Sequence, residues 1–497
     1  MKISPNSAVA FAFVACAMIV TSCANDVETD MNVDPAGNAI SFVPSVGGTT
    51  RATETTIKNL GDFAVIARGM HHDGVLYDNF LIGGTGGGEV AHWTSYDNDE
   101  NPTEGTWKLD RSVYWPSSLN QVLFYAYTAL KKGDTYTKPN VLATDDESST
   151  PTLGFDGDNP CINGFKPLKT DVSKTKENGI WADGENQKDL LVAFTQQARA
   201  TSAIEVPINF GHALTQISIT AKQEGKVADD HRVVKIKGAW IVNAAGAGNL
   251  TSKYEKNQGE ITKTWTPVTE KTTYGAFYTD IVELNGLEDK NLLREYSLML
   301  IPENLTAWNC KGGSGAEGNN GGAYILLLCR VELKHKGTVH NDATETSTET
   351  KQPDLSDIAI EGGDHYHQLF PVNEEKFDGA QYGFVCVPLE SDWNTNGVGK
   401  HYTYKLNICG NGTSAGKYPP TMSDDDVKKL IPTGTTVKVV GQEEPQPLII
   451  VTDPASGKKV GDNVLDDPIQ FTVKVSGWEE KGVNWTNGTA NPSEDNN

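Results

Sequence analysis

The chain has 497 residues, and its 65 acidic against 42 basic side chains give a formal net charge of −23. This charge argues against a nucleic-acid ligand, because binding to the phosphate backbone depends on Lys and Arg. With 37% apolar residues, 49 glycines and 23 prolines, the composition is typical of a soluble globular protein rich in turns and long enough for two or three domains.

The first predicted element is a signal peptide at residues 1–22, in which Lys2 precedes an apolar run from Ala8 to Val20. The run is too short to span a bilayer as a helix of the mature protein. It ends in Val20-Thr21-Ser22-Cys23, the pattern of a lipobox, in which the cysteine thiol receives a diacylglycerol. We therefore predict export as a lipoprotein with Cys23 as its lipidated first residue. The alternative is an ordinary secretory leader with a chance cysteine.

Residues 23–51 are predicted to be a polar tether that carries one strand. Within Ile40-Ser41-Phe42-Val43, Ile40 and Phe42 alternate with polar or outward positions, as residues on one face of a strand do. We therefore expect one strand ahead of Arg51.

Beyond Arg51 the chain alternates apolar runs with Gly, Asn, Asp and Pro clusters, the pattern of a sandwich or barrel. The predicted strands are Phe63–Ala67, Val75–Leu81, Val122–Tyr127, Leu190–Phe194, Ile204–Phe210, Leu214–Ala221, Val233–Val242, Tyr296–Ile301, Tyr324–Leu333, Tyr382–Pro388, His401–Ile408, Thr436–Val440 and Ile469–Val475.

A single helix is predicted at Ser423–Ile431, with Ser423 as its N-cap and acidic residues in its first turn. Long polar loops are predicted at 131–188, 303–322 and 335–362. The turn at Gln223–Lys226 predicts a domain boundary near residue 224.

The glycine run Gly83–Gly88 is predicted to be a hairpin tip. A phosphate-binding loop is the alternative, but no Gly-Lys-Ser/Thr follows the run and no strand-to-helix transition is visible.

We predict no metal and no cofactor. The segment Asp97–Lys108 begins like a calcium loop but lacks the glycine at its sixth position and the glutamate at its twelfth. Asp156–Asn159 is a turn by composition, with a weak calcium site as the alternative. His365 and His367 share a strand face without an identifiable third ligand, so a surface or interface role is favoured over a metal site.

No sequence feature specifically indicates an enzyme. The chain has neither a Gly-x-Ser-x-Gly elbow nor a His-Glu-x-x-His helix. None of its seven cysteines is in a Cys-x-x-Cys pair. Because Cys329, Cys386 and Cys409 lie in apolar strand runs, we predict buried, inert thiols rather than catalytic ones.

Several segments together resemble the fimbrillin family, the lipoprotein subunits of type V pili from gut and oral anaerobes. The lipobox is the first of these, and the stretch around His212 is the most recognisable. The others are Thr49–Ala52, Tyr114–Pro116, Leu123–Tyr127, Asp189–Ala193, Phe210–Ile217, Leu298–Pro302, Tyr382–Cys386 and Tyr402–Leu406.

The resemblance implies a mainly β fold of two tandem transthyretin-like antiparallel β-sandwich domains with few short helices. On this chain the N-terminal sandwich would span 52–224 and the C-terminal sandwich 225–478, leaving a polar tail at 479–497.

The resemblance also implies that a trypsin-like protease removes an N-terminal segment at an arginine. Here the cut would follow Arg51 and leave Ala52 as the mature N-terminus; a solvated linker residue is the alternative interpretation of Arg51. Lys58 and Arg68 are nearby basic alternatives. Because Cys23 is on the discarded side, the same cut would release the chain from its lipid anchor in the outer membrane.

Removal of the strand that carries Ile40 and Phe42 would leave unpaired backbone groups beside apolar pockets. A strand from another subunit can fill such a gap by β-augmentation. Val483 and Trp485 alternate across Asn484 and are the candidate donor strand. The polar tail around them argues against a repeating stalk position and leaves a tip or accessory position open.

The leading hypothesis is therefore a structural subunit of a type V pilus, located at the outer membrane and cell surface, that contributes to adhesion. Its expected partners are other pilin subunits and the processing protease. The alternative is an anchored lipoprotein that binds glycans or host protein without polymerising, with Trp93, Trp107, Trp181 and Trp265 as candidates to stack on sugars. An enzyme acting on polysaccharide is the third hypothesis.

Overall fold

The computed structural model describes the chain from residue 39 to residue 476, with gaps. The described residues are 39–46, 60–71, 73, 75–94, 106–128, 131–132, 135–136, 151–187, 189–198, 205–223, 232–255, 260–267, 270–284, 286, 288–309, 321–336, 358–359, 364–372, 379–396, 398–409, 414–439, 442–465 and 469–476.

The described chain is built almost entirely of strands. The first ten are β1 (Ser41–Val46), β2 (Phe63–Met70), β3 (Leu76–Ile82), β4 (Glu89–Thr94), β5 (Thr106–Leu109), β6 (Gln121–Thr128), β7 (Lys131–Lys132), β8 (Thr135–Tyr136), β9 (Thr152–Asp156) and β10 (Asn159–Phe165). The next ten are β11 (Ile180–Ala182), β12 (Leu191–Ala198), β13 (Glu205–His212), β14 (Thr215–Gln223), β15 (Arg232–Ala245), β16 (Gly248–Glu255), β17 (Glu260–Pro267), β18 (Lys271–Leu284), β19 (Lys290–Asn291) and β20 (Leu298–Leu300).

The remaining strands are β21 (Tyr324–Lys336), β22 (Ile358–Ala359), β23 (Asp364–Phe370), β24 (Gln381–Pro388), β25 (His401–Cys409), β26 (Ser414–Ala415), β27 (Thr436–Val437), β28 (Gln446–Pro447), β29 (Ile449–Val451) and β30 (Gln470–Ser476). Three short helices accompany them in the described residues, at Asp183–Asn186, Trp393–Asn396 and Asp424–Lys428. None of these helices has the length and apolar character needed to cross a bilayer.

The N-terminal strands close into a ring, here termed the N-terminal barrel. Strand pairing runs β2-β4-β5-β1-β13-β12-β6 and returns from β6 to β2. Strand β3 pairs with the other end of β2. Because β1 is a member of this ring, the barrel is closed only while β1 is in place.

Two barrel strands are buried on both faces, which explains their nearly continuous apolar sequences. Phe63 and Val65 of β2 point into the barrel, whereas Ala64 and Ile66 point out of it into a second core. β6 follows the same alternation along its length.

A four-stranded sheet, here termed the bridging sheet, covers the outer face of those strands. Its order is β17-β16-β10-β9. Leu250 and Trp265 of this sheet share a core with Ile66 and Tyr127 of the barrel and with Met299 of the C-terminal half. The bridging sheet therefore joins the two halves through one continuous core.

The C-terminal half is a two-layer structure. A central sheet (β11-β18-β15-β21-β23-β22, with β24 and β29) packs on an outer sheet (β19-β14-β25-β30-β26, with β20). Ile241 and Leu327 of the central sheet meet Ile219 and Leu406 of the outer sheet in the largest core. The opposite face of the central sheet is also buried, by residues such as Leu430 from the segment around the last helix.

The mainly β fold class is confirmed, with several sheets. Each predicted strand overlaps an observed one. The pairings are mostly antiparallel; β1–β13, β14–β25 and β24–β29 are parallel. The helix near residue 423 is confirmed but shorter than predicted, and Ser423 caps it by accepting the Asp426 N–H.

The polar loop predicted at 131–188 is wrong for residues 151–187, which contain β9, β10, β11 and a helical turn. Strands β16 to β18 were not predicted either. The sequences of β16 and β17 are rich in Thr and Lys, and Leu250 and Trp265 within them are buried in the core that the two halves share. In the sequence, the first long strand of the outer sheet begins at Thr215, directly after the last barrel strand ends at His212. The domain limits at 224 and 478 stay predictions.

Asp183 fastens the segment that precedes β12 to the central sheet. Its carboxylate accepts the backbone N–H groups of Thr170, at 2.6 Å, and Gly275, at 2.8 Å. The residue is 6% exposed. Burial disfavours the charged form and raises the pKa of Asp183 to about 6, against the opposing influence of Lys169 and both backbone donors.

This raised pKa predicts a specific pH dependence. The folded chain holds the Asp183 proton up to about pH 6, whereas the unfolded chain releases it near 3.8. The contribution of Asp183 to stability is therefore full below about pH 4 and is lost as the pH rises through 6. We expect the unfolding free energy of the native chain, measured relative to D183N by urea denaturation, to fall by about 3 kcal/mol between a pH well below 4 and a pH well above 6. If the unfolding free energies of the two proteins changed in parallel with pH, the raised pKa of Asp183 would be contradicted.

Candidate functional site

The candidate site is the gap in the N-terminal barrel that β1 fills, here termed the β1 slot and bounded by β5 and β13. On one side β1 runs parallel to β13, in register from Ser41 opposite Glu205 to Val46 opposite Phe210. On the other side it pairs with β5 only where Phe42 faces Trp107. The seam with β5 is therefore the weaker border of the slot.

The inner side of β1 completes the barrel core. Ile40 is 3% exposed and Phe42 is fully buried, and Pro44 is buried behind them. Val43, between them, points outward and is 40% exposed. This period-2 alternation is what a strand with one buried face requires.

Phe42 is the anchor of the slot. Its ring makes edge-on contacts with Phe63 and Phe124, each with ring centroids 6.1 Å apart. Phe63 in turn packs edge-on against Phe210, at 5.1 Å. Phe42 therefore belongs to a cluster of rings from different parts of the chain. Its removal would leave a cavity lined by side chains of several strands.

Backbone and side-chain hydrogen bonds fix the position of β1 along the slot. The Ile40 N–H donates to the Val113 carbonyl at 2.8 Å, and the Ser45 hydroxyl donates to Asn209 Oδ1 at 2.6 Å. The indole N–H of Trp107 donates to the Gly61 carbonyl at 2.8 Å, so the wall of the slot is braced independently of β1.

Apolar contacts dominate the slot, because β1 itself carries no ionisable side chain. Burial of a large apolar side chain contributes roughly 1.5–3 kcal/mol, and each net backbone hydrogen bond about 1 kcal/mol. Without β1, the barrel would lose several of these apolar and hydrogen-bond contributions, and β13 would have an unpaired edge. The arrangement can bind an extended strand with alternating apolar side chains.

The predicted site residues divide between the slot and the undescribed parts of the chain. Ile40 and Phe42 lie in the slot. The predicted lipidation site Cys23, the processing site Arg51 with Ala52, and the candidate donor residues Val483 and Trp485 lie outside the described residues. Their roles stay predictions.

Slot-lining residues were missed by sequence reasoning. Phe63, Phe124 and Phe210 were assigned to strands but not to a shared pocket. Trp107 was considered only for sugar stacking. The available signal was the alternation in Thr106-Trp107-Lys108-Leu109, which marks β5 as a strand with Trp107 on its buried face.

The aromatic candidates for sugar stacking are mostly core residues. Trp107 and Trp265 are each 2% exposed and Trp181 is 8% exposed. Trp93 is half-buried and packs against the barrel core. Trp107, Trp181 and Trp265 therefore offer no open ring face of the kind that sugar stacking needs.

The glycine run is a tight turn, as predicted. Gly84 and Gly87 exchange backbone hydrogen bonds at 2.9 and 3.2 Å. The Gly83 N–H donates to Glu89 Oε1, and the Gly88 N–H donates to the Tyr127 hydroxyl. These donors are therefore already used within the fold and are not directed at a ligand.

The metal candidates lie in separate sheets. Asp156–Asn159 is a tight turn between β9 and β10, and Asp158 forms an ion pair with Arg68 at 2.7 Å. His365 and His367 both lie in β23. In the part of the chain that the structure describes, no three His, Cys, Asp or Glu side chains form a metal-binding group.

Two of the three strand thiols are buried as predicted, Cys329 and Cys386. Burial raises the pKa of the Cys329 thiol to about 12, which leaves it protonated near neutrality and unsuited to nucleophilic chemistry. Cys409 lies in β25.

Comparison with known proteins gives one family. The model of the fimbrillin-like family matches residues 50–312, more than half of the 497 residues. No curated protein matches the chain.

Solved structures with similarity to the chain include a fimbrial protein from Bacteroides vulgatus, with 15% identity, a TM-score of 0.41 and coverage of 74% of this chain and 95% of that chain. A proposed cell adhesion protein from Bacteroides ovatus has 12% identity, a TM-score of 0.30 and coverage of 75% and 92%. Another from Parabacteroides distasonis has 12% identity, a TM-score of 0.31 and coverage of 90% and 98%.

The slot geometry predicts a sharp contrast between two adjacent residues of β1. Phe42→Ala should lower the unfolding free energy by about 3–5 kcal/mol, because it empties an enclosed aromatic site. Val43→Ala is the matched control, since Val43 points outward, and should change it by less than about 0.5 kcal/mol. Urea denaturation of both variants measures the difference. Equal effects would show that β1 does not pack as described.

Proposed function

Because the chain belongs to the fimbrillin-like family, we propose that it is a structural subunit of a cell-surface pilus that contributes to adhesion and has no catalytic role. The observation that carries the proposal is the place of β1. A strand that lies ahead of Arg51 in the sequence supplies one member of a closed ring. A single cut can thus separate that strand from the rest of the chain.

The proposed maturation begins with export as a lipoprotein held in the outer membrane through Cys23. While β1 fills its slot, the barrel has no vacant strand position, so the precursor cannot accept a neighbour there. This is a storage form, in which an aggregation-prone edge is covered.

Cleavage after Arg51 by a trypsin-like protease would then turn the precursor into an assembling subunit. β1 ends at Val46 and the next described residue is Leu60, so the proposed cut falls between them, outside the described residues. After the cut, β1 is held only by the noncovalent contacts of its slot and can be replaced. The same cut separates the chain from Cys23.

Assembly would follow by donor-strand exchange. The slot accepts a strand parallel to β13 whose inward positions carry a β-branched aliphatic side chain, an aromatic ring and then a smaller apolar group, as Ile40, Phe42 and Pro44 do. Val483 and Trp485 present the first two of these features at the same spacing, across Asn484.

Strand β30 has a similar alternation, Ile469-x-Phe471-x-Val473-x-Val475. It is already paired with β25 from Gln470 to Ser476, and Ile469 and Phe471 are buried in the C-terminal core. Its use as a donor would disrupt the outer sheet. This cost favours the tail as the donor.

The anchored binder is the second candidate function. It predicts that all molecules at the cell surface keep an acylated Cys23. The sequence analysis supported this function with tryptophans that could stack on sugars, but Trp107, Trp181 and Trp265 are buried.

The processing step predicts a clear mutational phenotype. Arg51→Ala should leave the N-terminus uncut and abolish polymers, whereas Lys58→Ala, the matched control, should still yield Ala52 as the first residue and form polymers. N-terminal mass spectrometry of surface-shed protein, with gel analysis of heat-stable polymers, measures both. Polymers of normal length from the Arg51 variant would reject this route.

The donor assignment is tested separately. Changing Val483 and Trp485 to Asp should stop the chain from extending into a neighbour, because charges cannot enter the apolar slot without a large desolvation cost. Asn484→Asp occupies the outward position and should assemble normally. Processing at Arg51 should be unaffected in both. Full polymerisation of the double variant would assign the donor to another segment.

A further inference from the structure

A groove of about 430 Å³ lies between the two sheets of the C-terminal half. Its apolar wall belongs to the central sheet and consists of Ile180 of β11 and Val282 of β18. Its polar wall is formed by β19 of the outer sheet and the turn that follows it. That wall consists of Lys290, Asn291, Arg294 and Glu295. The volume is in the range of sites that hold small molecules.

Arg294 has a backbone conformation that long side chains rarely adopt. Its φ is +64°, in the left-handed region where glycine and asparagine are favoured. Its guanidinium carbon lies 4.8 Å from the centre of the Tyr278 ring, and one of its terminal nitrogens donates to Asp280. The ring and the carboxylate thus hold the guanidinium at the wall of the groove. Backbone strain of this kind is concentrated at functional sites, which points to a role for Arg294 beyond folding.

The polar wall has hydrogen-bond donors that the fold does not use. A guanidinium has five N–H donors, and the bond to Asp280 engages one of those of Arg294. The side-chain oxygen of Asn291 accepts the Leu293 N–H at 2.9 Å, so its amide nitrogen is left as a donor. These groups can bind a ligand without breaking a contact of the core.

The charges of the groove favour a ligand with a single carboxylate. The lining carries two cations, Lys290 and Arg294, and one anion, Glu295. The carboxylates that pair with the cations, Asp280 and Glu288, are 56% and 78% exposed, so water screens their charge. A planar guanidinium matches a carboxylate through two parallel hydrogen bonds. A doubly charged phosphate fits less well, because Glu295 would repel it more strongly.

We propose that this groove binds the last residue of a glycan that ends in an N-acetylated acidic sugar. The carboxylate of that sugar would accept hydrogen bonds from Arg294, and its hydroxyls would meet Asn291 and Glu295. The methyl of its acetyl group would pack on Ile180 and Val282. A protein partner fits less well, because the cores of protein interfaces are rich in aromatic residues and the six lining residues include none. The proposal names a ligand for the proposed adhesive role and rests on that role, but it does not require the removal of β1.

Calorimetry of the full chain with sialyllactose tests the proposal. The native chain should bind sialyllactose, and it should bind lactose, which lacks the acidic sugar, at least about tenfold more weakly. Arg294→Asn should weaken the binding of sialyllactose about tenfold, because the paired hydrogen bonds to the carboxylate are lost. Lys108→Gln, the control at an exposed lysine of the barrel, should bind like the native chain. Absent binding by the native chain, equal affinity for the two sugars, or native affinity in Arg294→Asn would overturn the proposal.

Two further measurements separate binding from folding and from assembly. Asparagine tolerates a positive φ better than arginine does, so Arg294→Asn should melt within a few degrees of the native chain. Arg294→Lys keeps the charge but loses the planar fork, and native affinity in this variant would contradict recognition of a carboxylate by Arg294. Both variants should still polymerise. A chain that polymerises without binding sialyllactose would therefore reject this site alone, and a chain that binds it without polymerising would reject the pilus function alone.

Discussion

The fold of the N-terminal half depends on the contact between Phe42 and the aromatic rings of the barrel. Phe42 is fully buried and meets Phe63 and Phe124 edge-on. Because Phe63 also packs on Phe210, rings from four strands form one cluster. Contacts of this kind are individually small but additive in a close-packed core. The strand that contributes Phe42 is therefore energetically essential to the barrel although it lies at the start of the described chain.

A closed ring has no free edge, and this constraint connects structure with assembly. β1 is fixed strongly to β13 and only at one residue pair to β5. Loss of β1 would create both an unpaired edge and an apolar gap, which are the two features that attract another strand. In this proposal polymerisation begins once β1 is removed, and no other part of the fold has to change.

The C-terminal half is joined to the barrel both through the chain and through a shared core. β13 leads through Ala213 and Leu214 directly into β14 of the outer sheet, and the bridging sheet shares a core with both halves. The central sheet is buried on both faces. The outward positions of the outer sheet, in contrast, are mostly polar and include Lys222, Lys405 and Lys474.

The sequence alone was enough to predict a mainly β protein, the strands with strong apolar alternation and the strand near Ile40 and Phe42, because period-2 burial leaves a local pattern. The N-cap at Ser423 was equally local. The ring closure of the barrel, the clustering of Phe63, Phe124 and Phe210, and the strands between residues 151 and 187 were decided by the tertiary structure. These features depend on contacts between residues far apart in the chain. A polar, Thr-rich strand acquires its partner and its buried face only when distant segments meet, so no local pattern records them.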